Sequence, residues 1–175
     1  QNLSVYIPNR LEEGYGLNKQ AVEELAKDGV NLIITVDCGI TNVEEISLAK
    51  DKGLQVVLTD HHLTGKEIPP ADAVICPTVK GESYPFKSLA GVGVAFKLAQ
   101  ALLSQDGQSN KAFEKWLLDL VAIGTIADIV PLLGENRTLA KWGLLVLNKT
   151  QRLGLRELID SASLGKELNS YNVGF

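Results

Sequence analysis

The chain has 175 residues, 45% hydrophobic and 22% charged, with 16 glycines and 6 prolines. That balance is sufficient for a globular domain with a sizeable core and excludes a disordered segment. No apolar run approaches the ~18 residues of a membrane span, and residues 1–8 have neither the basic start nor the apolar length of a secretory signal. The net charge of −4 speaks against a broadly basic nucleic-acid binder, although a local basic groove can sit on an acidic protein.

The chain opens on Gln1 and contains no Met, so we expect a piece of something longer. The two cysteines, Cys38 and Cys76, are far apart and form no Cys-x-x-Cys, which predicts free thiols and a reducing, cytoplasmic setting.

In chain order, residues 4–8 predict a short strand. Asn18 predicts a helix cap, with Val22, Leu25 and Ala26 at helical spacing through Lys27 and Gly29 as the stop. The β-branched run at residues 32–36 predicts a parallel strand buried on both faces. Residues 42–52 predict a helix with Val43, Ile46 and Ala49 inward, stopped by Gly53. Residues 56–59 and 73–76 predict two further strands, the second ended by Pro77. This alternation defines an α/β fold with a mainly parallel sheet flanked by helices.

The second half is different. Residues 92–103, 111–127, 136–147 and 154–160 predict helices, with 104–110 as a loop and 171–175 as a strand or loop. Trp116, Leu117, Leu120, Val121 and Ile123 make the second helix strongly apolar and predict a central position. The α/β part (1–87) is thus followed by a helical subdomain (88–175), and the two are expected to share one core.

The chemistry sits where strands end. The strand ending at Val36 runs directly into Asp37-Cys38-Gly39, and the strand ending at Thr59 into Asp60-His61-His62. In a right-handed β-α-β unit both clusters leave the same carboxyl edge, where open α/β sheets bind ligands. Carboxylates and imidazoles converging there suit manganese or another first-row metal, and carboxylates alone suit magnesium. These are the only two histidines in the chain. The plainer alternative is that each Asp caps the turn that follows it.

A third candidate is Asp128, a lone charge inside the apolar stretch 124–131, which needs a partner if it is buried. Gly91 and Gly93 open a helix, where backbone amides can hold a phosphate, although tight helix packing explains them as well. Arg10 stands near the sheet. Arg137, Lys141, Lys149, Arg152 and Arg156 concentrate positive charge that reads more as a solvated face than as a DNA track. No motif activates Cys38, which reads as a small buried residue.

Together these residues resemble the DHH phosphoesterase superfamily and, within it, the RecJ-like exonucleases. Asp37-Cys38-Gly39 is similar to the second motif of that family. Asp60-His61-His62 is similar to the motif that names it, and residues 124–131 to the fourth. Residues 6–17 and 89–98 resemble stretches particular to the RecJ-like branch. The resemblance implies a 5′-to-3′ exonuclease that removes mononucleotides from single-stranded DNA with two Mn2+ or Mg2+ ions, acting in DNA repair and recombination. Asp37 would bridge the metals, His61 and Asp128 would be ligands, His62 would contact the scissile phosphate, and Asp60 would orient a histidine. Arg10, Gly91 and Gly93 would contact the strand. Tyr15, Tyr84, Phe86 and Trp142 could stack on bases, although each reads first as core. Partners would be single-stranded DNA and replication or repair proteins, with no membrane.

One departure is plain: no two aspartates stand two residues apart, so the family's first motif, His-x-Asp-x-Asp-Gly, has no counterpart here. Alternatives are another DHH phosphoesterase acting on short RNA, nucleoside bisphosphate or pyrophosphate, or a nuclease-dead scaffold. We expect the isolated 175-residue chain to bind metal weakly and to leave 5′-labelled single strands with manganese largely intact; release of labelled mononucleotide by the purified chain would contradict this.

Overall fold

The β-branched run folds as β1 (Leu32–Val36), the first of three strands in a computed structural model that describes residues 3–105, 111–165 and 167–174. The chain divides into two compact units, Gln1–Gly81 and Glu82–Phe175.

The first unit contains α1 (Lys19–Lys27), β1, α2 (Val43–Asp51), β2 (Gln55–Thr59) and β3 (Ala73–Ile75). The sheet is parallel throughout, in the order β1-β2-β3. Val36 pairs with Thr59 and Thr59 with Ile75, so all three strands finish at one edge. The helices start and stop where local chemistry dictates. Asn18 Oδ1 accepts the Ala21 amide at 2.8 Å and caps α1. Asn42 makes no such cap on α2; its side chain instead holds Leu17 through the backbone oxygen at 2.9 Å.

Val22, Ile33, Ile40, Ile46, Leu54, Val56 and Leu58 form the core of this unit. Two expectations are corrected here. β1 is buried on one face only: Ile33 is covered, whereas Leu32, Ile34 and Val36 are 45%, 51% and 53% exposed. The reason is positional, because β1 is an edge strand and the core lies to one side of the sheet. Residues 4–8 form no strand. They join no ladder, and Val5 and Ile7 are more than four-fifths exposed along a trough of about 700 Å³ that the bare face of β1 also lines.

The second unit is helical: α3 (Gly91–Gln105), α4 (Lys111–Trp116), α5 (Leu118–Ala127), α6 (Gly134–Leu147), α7 (Leu153–Ser161) and α8 (Ser170–Gly174). The single helix expected over 111–127 is two, with Leu117 between them; its amide is shared between the Phe113 and Glu114 carbonyls, the mark of a tightened turn. Trp116 and Leu120 are exposed, whereas Val121, Ala122, Thr125 and Ile126 are buried, so only one side of α5 is central. The end of the chain is helical where a strand or loop was expected. Asn169 Oδ1 accepts the Tyr171 and Asn172 amides at 2.9 and 3.1 Å, while Asn172 Oδ1 accepts the Asn169 amide, a reciprocal cap that starts α8. Of the expected loop 104–110, Ser104 and Gln105 belong to α3 and the remainder lies outside the described residues.

Two glycines set the helix spacing. A Cβ on Gly143 would stand 2.6 Å from Ala122 Cβ and collide with the Leu118 carbonyl, so α6 can lie this close to α5 only with Gly there. A Cβ on Gly124 would meet Val92 Cγ1 of α3 at 2.7 Å. Asp119 and Thr150 then tie α5 to the end of α6: the buried carboxylate accepts the Thr150 hydroxyl at 2.8 Å and Arg152 Nε at 2.9 Å. Gly143→Ala should therefore cost about 3 kcal/mol, since overpacking at a helix crossing forces backbone to move, and urea unfolding of the two proteins side by side measures it.

Candidate metal centre

Two loops leave the carboxyl edge of the sheet, and a buried carboxylate between them sets their geometry. Asp60 follows β2 directly, with its amide on the Ile75 carbonyl at 3.1 Å, and is 1% exposed. Its Oδ2 accepts the Ile40 amide at 2.9 Å, reaching across to the loop after β1. Its Oδ1 accepts the His61 and His62 amides at 2.7 and 3.2 Å and stands 2.7 Å from His62 Nδ1. Burial alone would push this carboxyl up; the Ile40 amide, the His62 ring and the two adjacent amides outweigh it and hold the group below its ordinary range. An ionised Asp60 is an acceptor only, so the His62 proton sits on Nδ1 and Nε2 is left as the free lone pair. The His62 carbonyl is held in turn by the Thr78 hydroxyl at 2.6 Å.

Asp37 is the first residue beyond β1, with its amide still on the Thr59 carbonyl at 3.1 Å. Its φ of +63° lies in the left-handed region, which aspartate tolerates better than most residues. The Tyr15 hydroxyl donates to its carbonyl. Gly39 follows with φ +112°, where a Cβ would crowd Thr35 Oγ1 at 3.0 Å and Leu58 Cγ at 3.3 Å; the turn requires glycine.

These constraints bring Asp37, His61 and His62 together. His61 Nε2 is 3.1 Å from Asp37 Oδ1, and the two imidazole centroids are 4.4 Å apart. Each of the three residues offers one donor atom, and these atoms lie within 4.8 Å of one another. Asp37 Oδ1 is shielded from water yet accepts no hydrogen bond from the described residues. A buried carboxylate oxygen without a hydrogen atom to accept, beside imidazole nitrogen, is the donor set that a divalent first-row cation satisfies. The carboxylate–imidazole contact behind His62 is the usual support of a metal-site histidine. The residues therefore fit a divalent ion.

Asp128 lies in the second unit, where it ends α5 as its C-cap and is exposed. Ile129 beside it has φ +58°, unusual for a β-branched residue. Arg10 is exposed, with its guanidinium 5.9 Å from the Tyr15 ring centroid. Tyr15 is 57% exposed, not core, and meets the His62 ring edge-on at 5.6 Å. Gly91 and Gly93 are buried in α3; a Cβ on Gly93 would press Leu89 Cδ2 at 3.1 Å, which makes packing a sufficient reason for it. Tyr84 donates to Glu135, Phe86 packs on Gly134, and Trp142 is half exposed under Lys141. Cys38 is partly buried, and burial followed by the Asp60 and Asp37 charges raises its thiol, which makes it a poor nucleophile. Sequence reading missed Tyr15 and Thr78 as supports of the site. Nothing in the pattern distinguished them, although Tyr15 stands between two glycines with positive φ.

A parallel α/β sheet carrying Asp-Cys-Gly and Asp-His-His on one edge defines a class, and the comparison with known proteins agrees: residues 1–125 match the DHH family, N-terminal domain, and the chain belongs to that family. Among curated proteins it is 52% identical over 172 residues to the single-stranded-DNA-specific exonuclease RecJ of Bacillus subtilis, covering 97% of this chain and 21% of that protein. It is 40% identical over 184 residues to RecJ of Escherichia coli, covering 99% and 32%. Among solved structures it resembles exonuclease RecJ bound to manganese, with a TM-score of 0.83 and 38% identity over 97% of this chain and 42% of the other. RecJ from Thermus thermophilus with Mn2+ gives a TM-score of 0.78 and 37% identity over 90% of this chain and 23% of the other. The chain thus spans between a fifth and a third of these curated relatives. No described helix is long and apolar enough to cross a membrane.

Replacing Asp60 by Asn should destabilise the fold by about 3 kcal/mol at neutral pH, because several amides and the His62 ring lose their anionic acceptor. The sign with pH follows from the lowered carboxyl. Its contribution is complete above the unfolded carboxylate value of about 3.9 and disappears as pH falls through the lower folded value. Denaturant titrations of both proteins should converge as the pH is taken below ~4.

Proposed function

We propose that this chain is part of the catalytic core of a divalent-metal-dependent phosphodiesterase that removes nucleotides from single-stranded DNA in the 5′-to-3′ direction. The observation that carries this reading is the meeting of Asp37, His61 and His62 donors within 4.8 Å at the carboxyl edge of a parallel sheet. The likeness to RecJ proteins supports the choice of substrate.

Asp37 and His61 would hold a Mn2+ or Mg2+ ion. When bound, a pair of such ions supplies an activated water and neutralises charge on the attacked phosphate. The chain's own part is orientation. Asp60 fixes the His62 ring by its Nδ1 and leaves the Nε2 edge to meet the phosphate. Thr78 and the Asp60 carboxylate keep the His61–His62 backbone from moving as charge develops. Arg10, with its guanidinium over the Tyr15 ring at 5.9 Å from the centroid, offers a cation for the phosphate backbone.

The test uses the full-length protein that carries this chain, with single strands labelled at one end or the other, in manganese. Mononucleotides should leave from the 5′ end; Asp37→Asn and His61→Ala should each slow release about a hundredfold or more and weaken calorimetric manganese binding, with melting temperatures little changed. Release from the 3′ end, preference for duplex, or variants as fast as the parent would overturn the reading.

A further inference from the structure

Arg152 is held in an unusual way. Asp119, 1% exposed at the start of α5, receives Arg152 Nε on both carboxylate oxygens, at 2.9 and 3.2 Å. The same carboxylate accepts the Leu120 amide at 2.7 Å and the Thr150 hydroxyl at 2.8 Å, so its acceptor capacity is well used. The Arg152 amide in turn donates to Thr150 Oγ1 at 3.3 Å. An arginine that serves only to brace a carboxylate usually engages it with two parallel N–H groups of its fork. Here only Nε is engaged. Among the described residues no hydrogen bond or ion pair takes either terminal amino group, and the side chain is 40% exposed. A single N–H to Asp119 is a task lysine could perform. What arginine adds is a planar pair of amino groups, fixed in direction by the buried carboxylate behind them, with four N–H bonds unspent.

We infer that Arg152 is a contact for the phosphate backbone of single-stranded nucleic acid, positioned by Asp119. A rigid guanidinium that keeps its terminal groups for a ligand matches the oxygens of a phosphodiester and loses little conformational freedom on binding. Lys149 and Arg156, both exposed, flank it in sequence and add positive charge to this stretch, while Glu157 and Asp160 limit it. The site belongs to the second unit alone and contains none of the Asp37, His61 and His62 donors, so it would act in holding the strand and not in cleaving it. The inference rests on the single-strand reading above and assigns it a further contact.

Arg152→Lys separates a brace from a phosphate contact. Lysine keeps one donor for Asp119, and with its charge spent there it has none directed at a strand. Binding of a fluorescent oligothymidine to the full-length protein that carries this chain, in EDTA to prevent cleavage, would be followed across a salt series. Arg152→Lys should melt close to the parent, bind roughly threefold more weakly at low salt, and lower the slope of log K against log salt by about 0.7, the share of one single-strand phosphate. Arg152→Gln should show the same change in slope together with a lower melting temperature, since it loses the ion pair. Unchanged affinity and slope in both variants, with only the melting temperature altered, would make Arg152 a brace and end the inference while leaving the single-strand reading intact. A parent protein that does not bind the oligothymidine at all would overturn both.

Discussion

A single buried carboxylate organises the carboxyl edge of the sheet. Asp60 leaves the sheet at the end of β2 and is taken out of water almost completely, a position that is costly unless every lone pair is used. It is used on two loops at once: the amide of Ile40 on one side, and the amides and ring of the two histidines on the other. The loop carrying Asp37 and the loop carrying His61 and His62 are therefore not independent. A shift in one must move the other or break a charge-assisted hydrogen bond worth more than a neutral one. The donor atoms of Asp37, His61 and His62 stand close together because Asp60 fixes the backbone on both sides.

Much of this was legible in the sequence, for identifiable reasons. The β-branched runs at 32–36 and 56–59, each followed at once by an acidic residue, encode both the parallel strands and the edge from which chemistry emerges. Parallel registry does the rest, because strands that start together on a crossover also end together. The Asn18 cap was legible because its effect is local, reaching three residues on. What failed was what depends on neighbours. Whether β1 is covered on one face or two is not written in Leu32-Ile33-Ile34-Thr35-Val36, since the same side chains suit both environments. Residues 4–8 have strand composition, but a strand needs a partner ladder, and composition does not specify one. The helix break at Leu117 lies within a stretch whose propensities are helical throughout.

The second unit shows the converse, where small residues rather than large ones carry the information. The aromatic and aliphatic run at 116–123 suggested a buried helix, yet Trp116 and Leu120 are exposed. The positions that decide the packing are Gly124 and Gly143, which let α5 approach α3 and α6 until backbone meets side chain. A glycine that matters through the atoms it lacks leaves no periodic signal, and only the coordinates distinguish it from one that marks a turn.

Asp37 carries a last implication. Its left-handed backbone admits few residue types cheaply: glycine, asparagine and aspartate, of which only the last brings a formal negative charge. Conformation and chemistry thus select the same amino acid for unrelated reasons. Alanine at this position would confound the removal of an oxygen donor with the stress of a disfavoured dihedral, whereas asparagine isolates the electrostatic part. An aspartate retained at this position is therefore weak evidence of cation binding by itself, because the backbone alone already narrows the choice.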